Sequence, residues 1–350
     1  MVNGKPDPIR KGGFATKGEA KAAAGDIEQD LRKGITPHLK PEPFDEYFET
    51  WLKLYKPNVA GNTMARYENT LKTIQENFPG ETIQSFTKRR YQEFLNKYGS
   101  TRSKETTRKI NTHIRACIKD AIDEGIIHLD FTRGAVLTGT VPAKRGEDKH
   151  LSLFESKRLL KHFKDPEYLS HYLILLGLTS GMRYAELVGL TRKDFLFKSN
   201  EINIDKTWGY TKKMHTGFGP TKNDQSIRKI KMDGKTMNIF KKLFERTPEN
   251  IHSLVFFSPT SKYKVLCNTA VNKVLKSTLQ KLNIDPISAH GLRHTHASIL
   301  LYKRASIYYV SERLGHSDIE TTNGYYAHII KELREQDDKI AVKTFEEMIG

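Results

Sequence analysis

A chain of 350 residues is long enough for two or three domains that each bury a core, and its 58 lysines and arginines against 41 acidic residues, a formal +17, point to a polyanionic partner. The two cysteines, Cys117 and Cys267, lie far apart without CxxC spacing, which excludes a disulfide framework and a zinc knuckle. The longest strongly apolar stretch, 172–178, is too short to cross a bilayer and the N-terminus is charged where a signal peptide is apolar, so a cytoplasmic chain without membrane contact is expected.

The head, residues 1–40, carries the basic run Arg10-Lys11 and then Thr16-Lys17-Gly18-Glu19, a capping box that predicts a helix to about Lys33. Only Ile9–Ala15 is left before it for a strand, and Pro37, Pro41 and Pro43 end the segment. Residues 42–135 read as all-helical. Phe44, Tyr47, Phe48 and Leu52 recur at helical spacing, as do Ile110, Ile114 and Ile118, so several helices are expected between Phe44 and Ile127. Residues 136–150, above all Thr138–His150, lose apolar periodicity and read as a linker.

Residues 151–350 mix helices with strands. Pro166–Leu178 predicts a buried helix, and Arg183 stands close to the start of the next, where unpaired backbone N–H groups suit an anion. Ile202 with Ile204 and Ile230 with Met232 alternate with polar residues and predict two strands, with Lys222 in the connection leading into the second. Ser288 can cap a helix on which His290 and Arg293 share a face. Ile307, Val310 and Leu314 mark another helix, ended by Gly315. Ser317-Asp318-Ile319-Glu320 starts a short one that Asn323-Gly324 should break before Tyr325-Tyr326, leaving the tyrosines on a mobile element. The tail, Lys331–Ile349, predicts a helix burying an apolar stripe of Ile340, Val342, Phe345, Met348 and Ile349. The fold class expected is multidomain α+β, with a mainly helical last domain holding a small antiparallel sheet.

Three clusters carry chemistry: Arg183 and Glu186 in Ser180-Gly181-Met182-Arg183-Tyr184-Ala185-Glu186, His290-Gly291-Leu292-Arg293-His294, and Leu314-Gly315-His316 followed by Tyr325-Tyr326-Ala327-His328. Two guanidiniums offering forked donors stabilise the charge that builds on a phosphodiester under attack. A phenol ionises near pH 10, so as a nucleophile it needs a base and positive charge nearby. Singly, each signal is weak. An arginine at a helix start is usually solvated. Lys222 stands among Lys212, Lys213, Lys229 and Lys231, and paired tyrosines more often pack a core. His290, His294 and His296 lack a nearby Glu or Cys to complete a metal set, and Arg293 would repel the cation. The combination is what points to metal-free attack on DNA.

As a set, these boxes resemble the tyrosine recombinase family, in particular the integrases of phages and conjugative elements of Gram-positive bacteria. The resemblance implies that residues 1–40 are a small arm-site DNA-binding segment, shorter than the family's three strands and helix, that 42–135 bind the core site, and that 151–350 are catalytic. It implies Arg183 and Arg293 as the phosphate clamp, Lys222 as the acid for the departing 5′ oxygen, His290 as proton acceptor, His316 as a donor to the phosphate and Glu186 as a supporting acid. The nucleophile is one of two neighbours. Some family members place it nine residues after the histidine, which selects Tyr325, and others ten after with x-His following, which selects Tyr326; Tyr326-Ala327-His328 favours Tyr326. The implied activity is integration and excision of a mobile element through a 3′-phosphotyrosyl intermediate and a Holliday junction, by a homotetramer on double-stranded attachment sites. Accessory DNA-bending or directionality proteins belong to the same expectation. Because phosphotyrosine conserves the bond energy, neither metal nor nucleotide cofactor is expected, and no Walker loop occurs. An inactive DNA-binding regulator and a type IB topoisomerase are the alternatives.

Overall fold

Residues 12–32, 41–142 and 150–349 are described in the computed structural model of the chain, which divides into two units, Met1–Ala143 and Lys144–Gly350, each with its own hydrophobic core. Helix α1, Lys17–Arg32, starts where the capping box predicts: the Thr16 hydroxyl accepts from the Glu19 N–H at 3.2 Å, and the Glu19 carboxylate accepts from the Ala15 N–H at 3.1 Å. Residues 12–16 form no strand, and Ile9–Lys11 lie outside the described residues.

Four helices follow: α2 (Phe44–Tyr55), α3 (Gly61–Asn77), α4 (Lys88–Gly99) and α5 (Lys104–Asp123). Phe44, Tyr47, Phe48, Trp51 and Leu52 share the buried face of α2, and Ile110, Ile114 and Ile118 that of α5. The core is mostly aromatic, with ring centroids 4.7 Å apart for Phe78 and Phe94, 4.8 Å for Phe78 and Phe86, and 4.9 Å for Phe86 and Phe131. Its polar atoms are paired: Tyr91 donates to Asn111 at 2.9 Å and Trp51 to Asp120 at 2.6 Å. The start of the expected linker is part of this unit. The Val136 N–H donates to the Gln92 carboxamide, the Thr138 hydroxyl to Leu95 O, and the Thr140 and Val141 N–H groups to Gly99 O and Arg102 O. Backbone hydrogen bonds thus fix a stretch whose composition reads as loose, while 143–149 lie outside the described residues.

In the second unit, α6 (Leu153–His162) opens on a Ser152–Glu155 capping box and precedes α7 (Leu169–Ser180), the expected buried helix, and the short α8 (Tyr184–Gly189). Strands β1 (Phe195–Leu196) and β2 (Glu201–Ile204) come next, then the hairpin of β3 (Thr207–Trp208) and β4 (Phe218–Gly219), and β5 (Arg228–Lys231). The sheet β1-β2-β5 is antiparallel, with Ile202 opposite Ile230. Helices α9 (Gly234–Arg246), α10 (Asn268–Lys281), α11 (Ala289–Tyr302) and α12 (Ile307–Leu314) lead to α13 (Ile319–Ile349). The apolar α7 packs against α8, α9, α10 and α11.

Two expectations are corrected at the C-terminus. Helix α13 runs unbroken through Asn323-Gly324, and its cap is Asp318, whose carboxylate accepts from the Glu320 N–H at 2.9 Å, rather than Ser317. A glycine inside a helix costs about 1 kcal/mol; the burial of Thr322 and Tyr326 on either side of Gly324 outweighs it. The tail is helical, yet Ile340, Val342, Phe345, Met348 and Ile349 are 55–88% exposed, so the stripe is not buried within this chain. Among the described residues, no helix is long and apolar enough to cross a membrane.

Candidate active site

Two left-handed glycines organise the site. Gly181 (φ 71°) ends α7 and Gly315 (φ 67°) ends α12, in a conformation that side chains with a Cβ rarely adopt. At Gly315 the chain closes a Schellman turn, the His316 N–H reaching back to Ser311 O and the Gly315 N–H to Glu312 O. The two carbonyls are thereby turned to the arginines: Gly315 O accepts from Arg183 Nη2 at 2.7 Å, and Gly181 O from Arg293 Nη1 at 2.9 Å. A Cβ at Gly181 would stand 2.6 Å from the His296 ring.

Arg183 is the residue before α8, and its side chain folds back on that helix. Glu186, buried one turn in, accepts from the Arg183 backbone N–H at 3.0 Å, from Arg183 Nη1 at 2.8 Å and from Arg228 Nη2 at 3.0 Å. Burial opposes the Glu186 charge, but Arg228, Arg183 and Arg293 together outweigh it and hold the carboxyl below its ordinary range. Arg228, on β5, also donates to Arg313 O and Ser226 O, each at 2.7 Å. Ser226 accepts from Arg183 at 3.1 Å.

Arg293 is held on α11 by Gly181 O and by Leu314 O, the latter at 2.8 Å. Its Nη2 is buried and has no hydrogen-bond partner among the described residues. Burial, then the neighbouring Arg183, lowers the pKa of this guanidinium to about 9, which still leaves it charged at neutral pH. A buried donor without an acceptor is costly and rare.

Around this pair stand three histidines. His316 Nδ1 lies 2.7 Å from the Thr322 hydroxyl, and burial, then Arg293 and Arg183, push its pKa down to about 3, so the ring is neutral. His290 is exposed on α11, its pKa lowered by its surroundings first and by Arg293 and Arg183 after. His294, one turn on, packs edge-on against His290 with centroids 4.8 Å apart. His294 Nδ1 lies 2.9 Å from the Tyr326 hydroxyl. Tyr326 is 2% exposed, in a cluster with Ala297, Leu301, Val310 and Leu314, and burial pushes its phenol above the ordinary value against the pull of Arg293. Tyr325 is 53% exposed.

The structure therefore gathers Arg183, Glu186, Arg293, His316, His290 and Tyr326, which a hundred residues and more separate in sequence. It does not bring Lys222 in. Lys222 is exposed in the connection from β4 to β5, and among the described residues no hydrogen bond or ion pair ties it to the cluster. The sequence reading missed Arg228, Ser226 and the bond between His294 and Tyr326. It also missed a buried support: Arg313 Nε donates to His296 Nε2 at 2.9 Å, His296 Nδ1 lies 2.9 Å from Leu178 O, and Arg313 Nη1 donates to Lys231 O. With both ring nitrogens taken, His296 has none left for a metal.

Comparison with known proteins gives the same assignment as the boxes. The profile of the phage integrase family matches residues 149–332, more than half of the chain, and that of the phage integrase N-terminal SAM-like domain matches 43–99. The chain belongs to the phage integrase family. It is a tyrosine-type site-specific recombinase. The integrase of Staphylococcus phage L54a is 24% identical over 90% of this chain and 97% of its own length, and the ICEBs1 integrase of Bacillus subtilis 21% identical over 95% and 94%. Among solved structures, the Tn1549 transposon integrase in complex with a circular intermediate DNA superposes with a TM-score of 0.70, at 17% identity, over 86% of this chain and all of that one. A lambda integrase tetramer bound to a Holliday junction gives 0.59, at 15% identity, over 91% and 88%.

Proposed function

We propose that this recombinase integrates and excises a mobile element by cutting double-stranded DNA with Tyr326, holding the cut end as a 3′-phosphotyrosine and exchanging strands through a Holliday junction. The observation that carries this reading is the buried, unpartnered Nη2 of Arg293, beside Arg183 and within electrostatic reach of Tyr326. A non-bridging phosphate oxygen supplies the acceptor that the described residues do not. It would make a short, charge-assisted bond, stronger in the transition state as charge builds on the oxygen.

In this reading Arg183 and Arg293 clamp the phosphate, with Glu186 and Arg228 holding Arg183 in place. His316, kept neutral, can donate from Nε2 when Nδ1 accepts from Thr322. The acceptor of the phenolic proton lies on α11, where His290 and His294 stand side by side. Lys222 is the acid for the 5′ oxygen, delivered by its loop when DNA is bound. Tyr326 is preferred to Tyr325 because its hydroxyl is bonded to α11 beside Arg293, whereas Tyr325 is open to solvent. The exposed apolar stripe at the end of α13 suits burial on a neighbouring protomer, which favours a tetramer on DNA; truncation after Thr344 is expected to prevent tetramer assembly on DNA.

A nicked suicide duplex bearing the element's junction sequence tests the whole. The wild type is expected to form a covalent adduct resistant to denaturation, Tyr325→Phe to retain it and Tyr326→Phe to lose it. An adduct persisting in Tyr326→Phe refutes the choice of nucleophile, and no adduct in the wild type leaves the regulator reading standing. Joining of two separate duplexes distinguishes a recombinase from a topoisomerase.

A further inference from the structure

The phenol of Tyr326 touches one polar side chain among the described residues, and it is the histidine that follows the clamp arginine. We propose that His294 is the catalytic base for Tyr326: it positions the hydroxyl through Nδ1 and takes its proton during attack. This rests on the reading of Tyr326 as nucleophile.

The geometry argues for it in three ways. His294 Nδ1 is 2.9 Å from the Tyr326 hydroxyl, within the range a base needs to abstract a proton directly. His290, the acceptor that the resemblance implies, has no hydrogen bond to either tyrosine among the described residues, and its ring packs against that of His294 instead. Because α11 carries both Arg293 and His294, one rigid element fixes the phosphate clamp and the base relative to each other.

As a neutral ring with its proton on Nε2, His294 accepts the hydrogen bond from the phenol. During attack the Tyr326 Oη–P bond forms and the P–O5′ bond breaks. The phenolic proton moves to Nδ1, and the leaving O5′ takes a proton from the Lys222 ammonium. Rejoining reverses each transfer. Among the described residues, the groups near His294 include His290 on its own helix, Tyr325 and Tyr326 on α13, and His316 between α12 and α13. Of these, His290 is exposed and stands next in line to pass a proton on to solvent.

The test is the pH dependence of adduct formation on the nicked duplex, under saturating protein, for the wild type, His294→Asn, His294→Gln and His290→Gln. Asparagine puts an amide where Nδ1 stands, so it keeps the hydrogen bond and removes the base. His294→Asn is expected to slow cleavage by about 10²- to 10⁴-fold. The wild-type rate should level off once the imidazole is neutral, while the Asn variant should climb about tenfold per pH unit as the phenol ionises unaided. His294→Gln should lose at least as much. A His294→Asn rate within about threefold of wild type, or one that keeps the plateau while His290→Gln loses it, overturns the proposal. One measurement needs no substitution: ¹⁵N spectra of the wild type should show His294 protonated on Nε2 with Nδ1 accepting, and the opposite tautomer overturns the assignment. Absence of any wild-type adduct sinks the underlying reading, whereas a wild-type adduct with unaffected variants sinks only this one.

Discussion

The two units fold around interiors of opposite kind. The helical unit buries Phe44, Phe48, Trp51, Phe78, Tyr91 and Phe94 around α2–α5, and its few polar side chains find partners at the edge of that core. The second unit, the catalytic unit of the proposed function, has a larger apolar core, but between α7, α11, α12 and β5 it also buries Arg293, Arg313, Glu186 and His296, with Arg228 nearly as enclosed. Arg228 and Arg293, joined by the less buried Arg183, crowd one carboxylate, that of Glu186. Hydrophobic packing stabilises the first arrangement outright, whereas removing charges from water costs several kcal/mol per ion before pairing returns any of it. A fold that retains the second arrangement gives up stability to fix guanidiniums in place, and in the proposed reaction that place is where the phosphate binds.

The contrast is sharpest in a pair of substitutions. Phe44→Ala should cost the helical unit about 3–5 kcal/mol in denaturant unfolding, through lost transfer energy and an unfilled cavity. Arg293→Met should leave the catalytic unit as stable as wild type or more so, since it removes a desolvated charge that Arg183 and Arg228 repel. Its cleavage rate should nonetheless fall by about 10²- to 10³-fold. Comparable destabilisation by both changes would mean that Arg293 is a strut through its bonds to Gly181 and Leu314, and the contrast would collapse.

Much of this was legible in the sequence, for reasons that differ by element. The periodicities of α2 and α5 are visible because one face of each meets a core. Arg183 and His316 are visible because the glycines that turn the chain, Gly181 and Gly315, lie beside them, whereas Arg293 and the tyrosines, inside unbroken helices, are visible only as members of the set. Arg228 was legible in principle: strand alternation puts it on the same face as Ile230, the buried side of β5, and an arginine there needs an anion. Arg313 gives the same signal, three residues after the buried Val310 on α12. Their partners are not readable locally, because Glu186, which accepts from Arg228, and His296 and Lys231 O, which accept from Arg313, are contributed by distant segments. The end of α13 was misjudged for a related reason. Helical spacing identifies an apolar stripe but says nothing of whether this chain or another covers it.

A smaller effect separates the interiors by pH. His296 is buried and neutral, its pKa pushed to about 3 by burial and then by Arg313, against about 6.5 when unfolded. Below about pH 6.5 the unfolded chain therefore takes up a proton that the folded one refuses, and stability falls as pH falls, by about 1.4 kcal/mol per pH unit until about pH 3. His113 on α5 is also lowered by burial, so the helical unit contributes a slope of the same sign. The part that disappears in His296→Gln belongs to the catalytic unit. An unchanged slope in that variant would mean that its buried charges are not coupled to folding in this way.

The smallest effect should be alike in the two units, and that likeness tests whether the difference lies in the interiors at all. Thr87 caps α4 by accepting from the Arg90 N–H at 3.1 Å, and Asp233 caps α9 by accepting from the Thr236 N–H at 2.9 Å. Each bond satisfies one orphan donor at a helix start, a local matter that no core enters. Thr87→Ala and Asp233→Ala should each cost about 1 kcal/mol in denaturant unfolding. If Asp233→Ala costs several times more, the entrance to α9 is coupled through the adjacent β5 to Arg228 and the buried charges, and the strain of holding the clamp extends beyond the site into the scaffold. If the losses match, that strain is confined to the few side chains around Glu186, and the rest of the catalytic unit is as ordinary a helical scaffold as its neighbour.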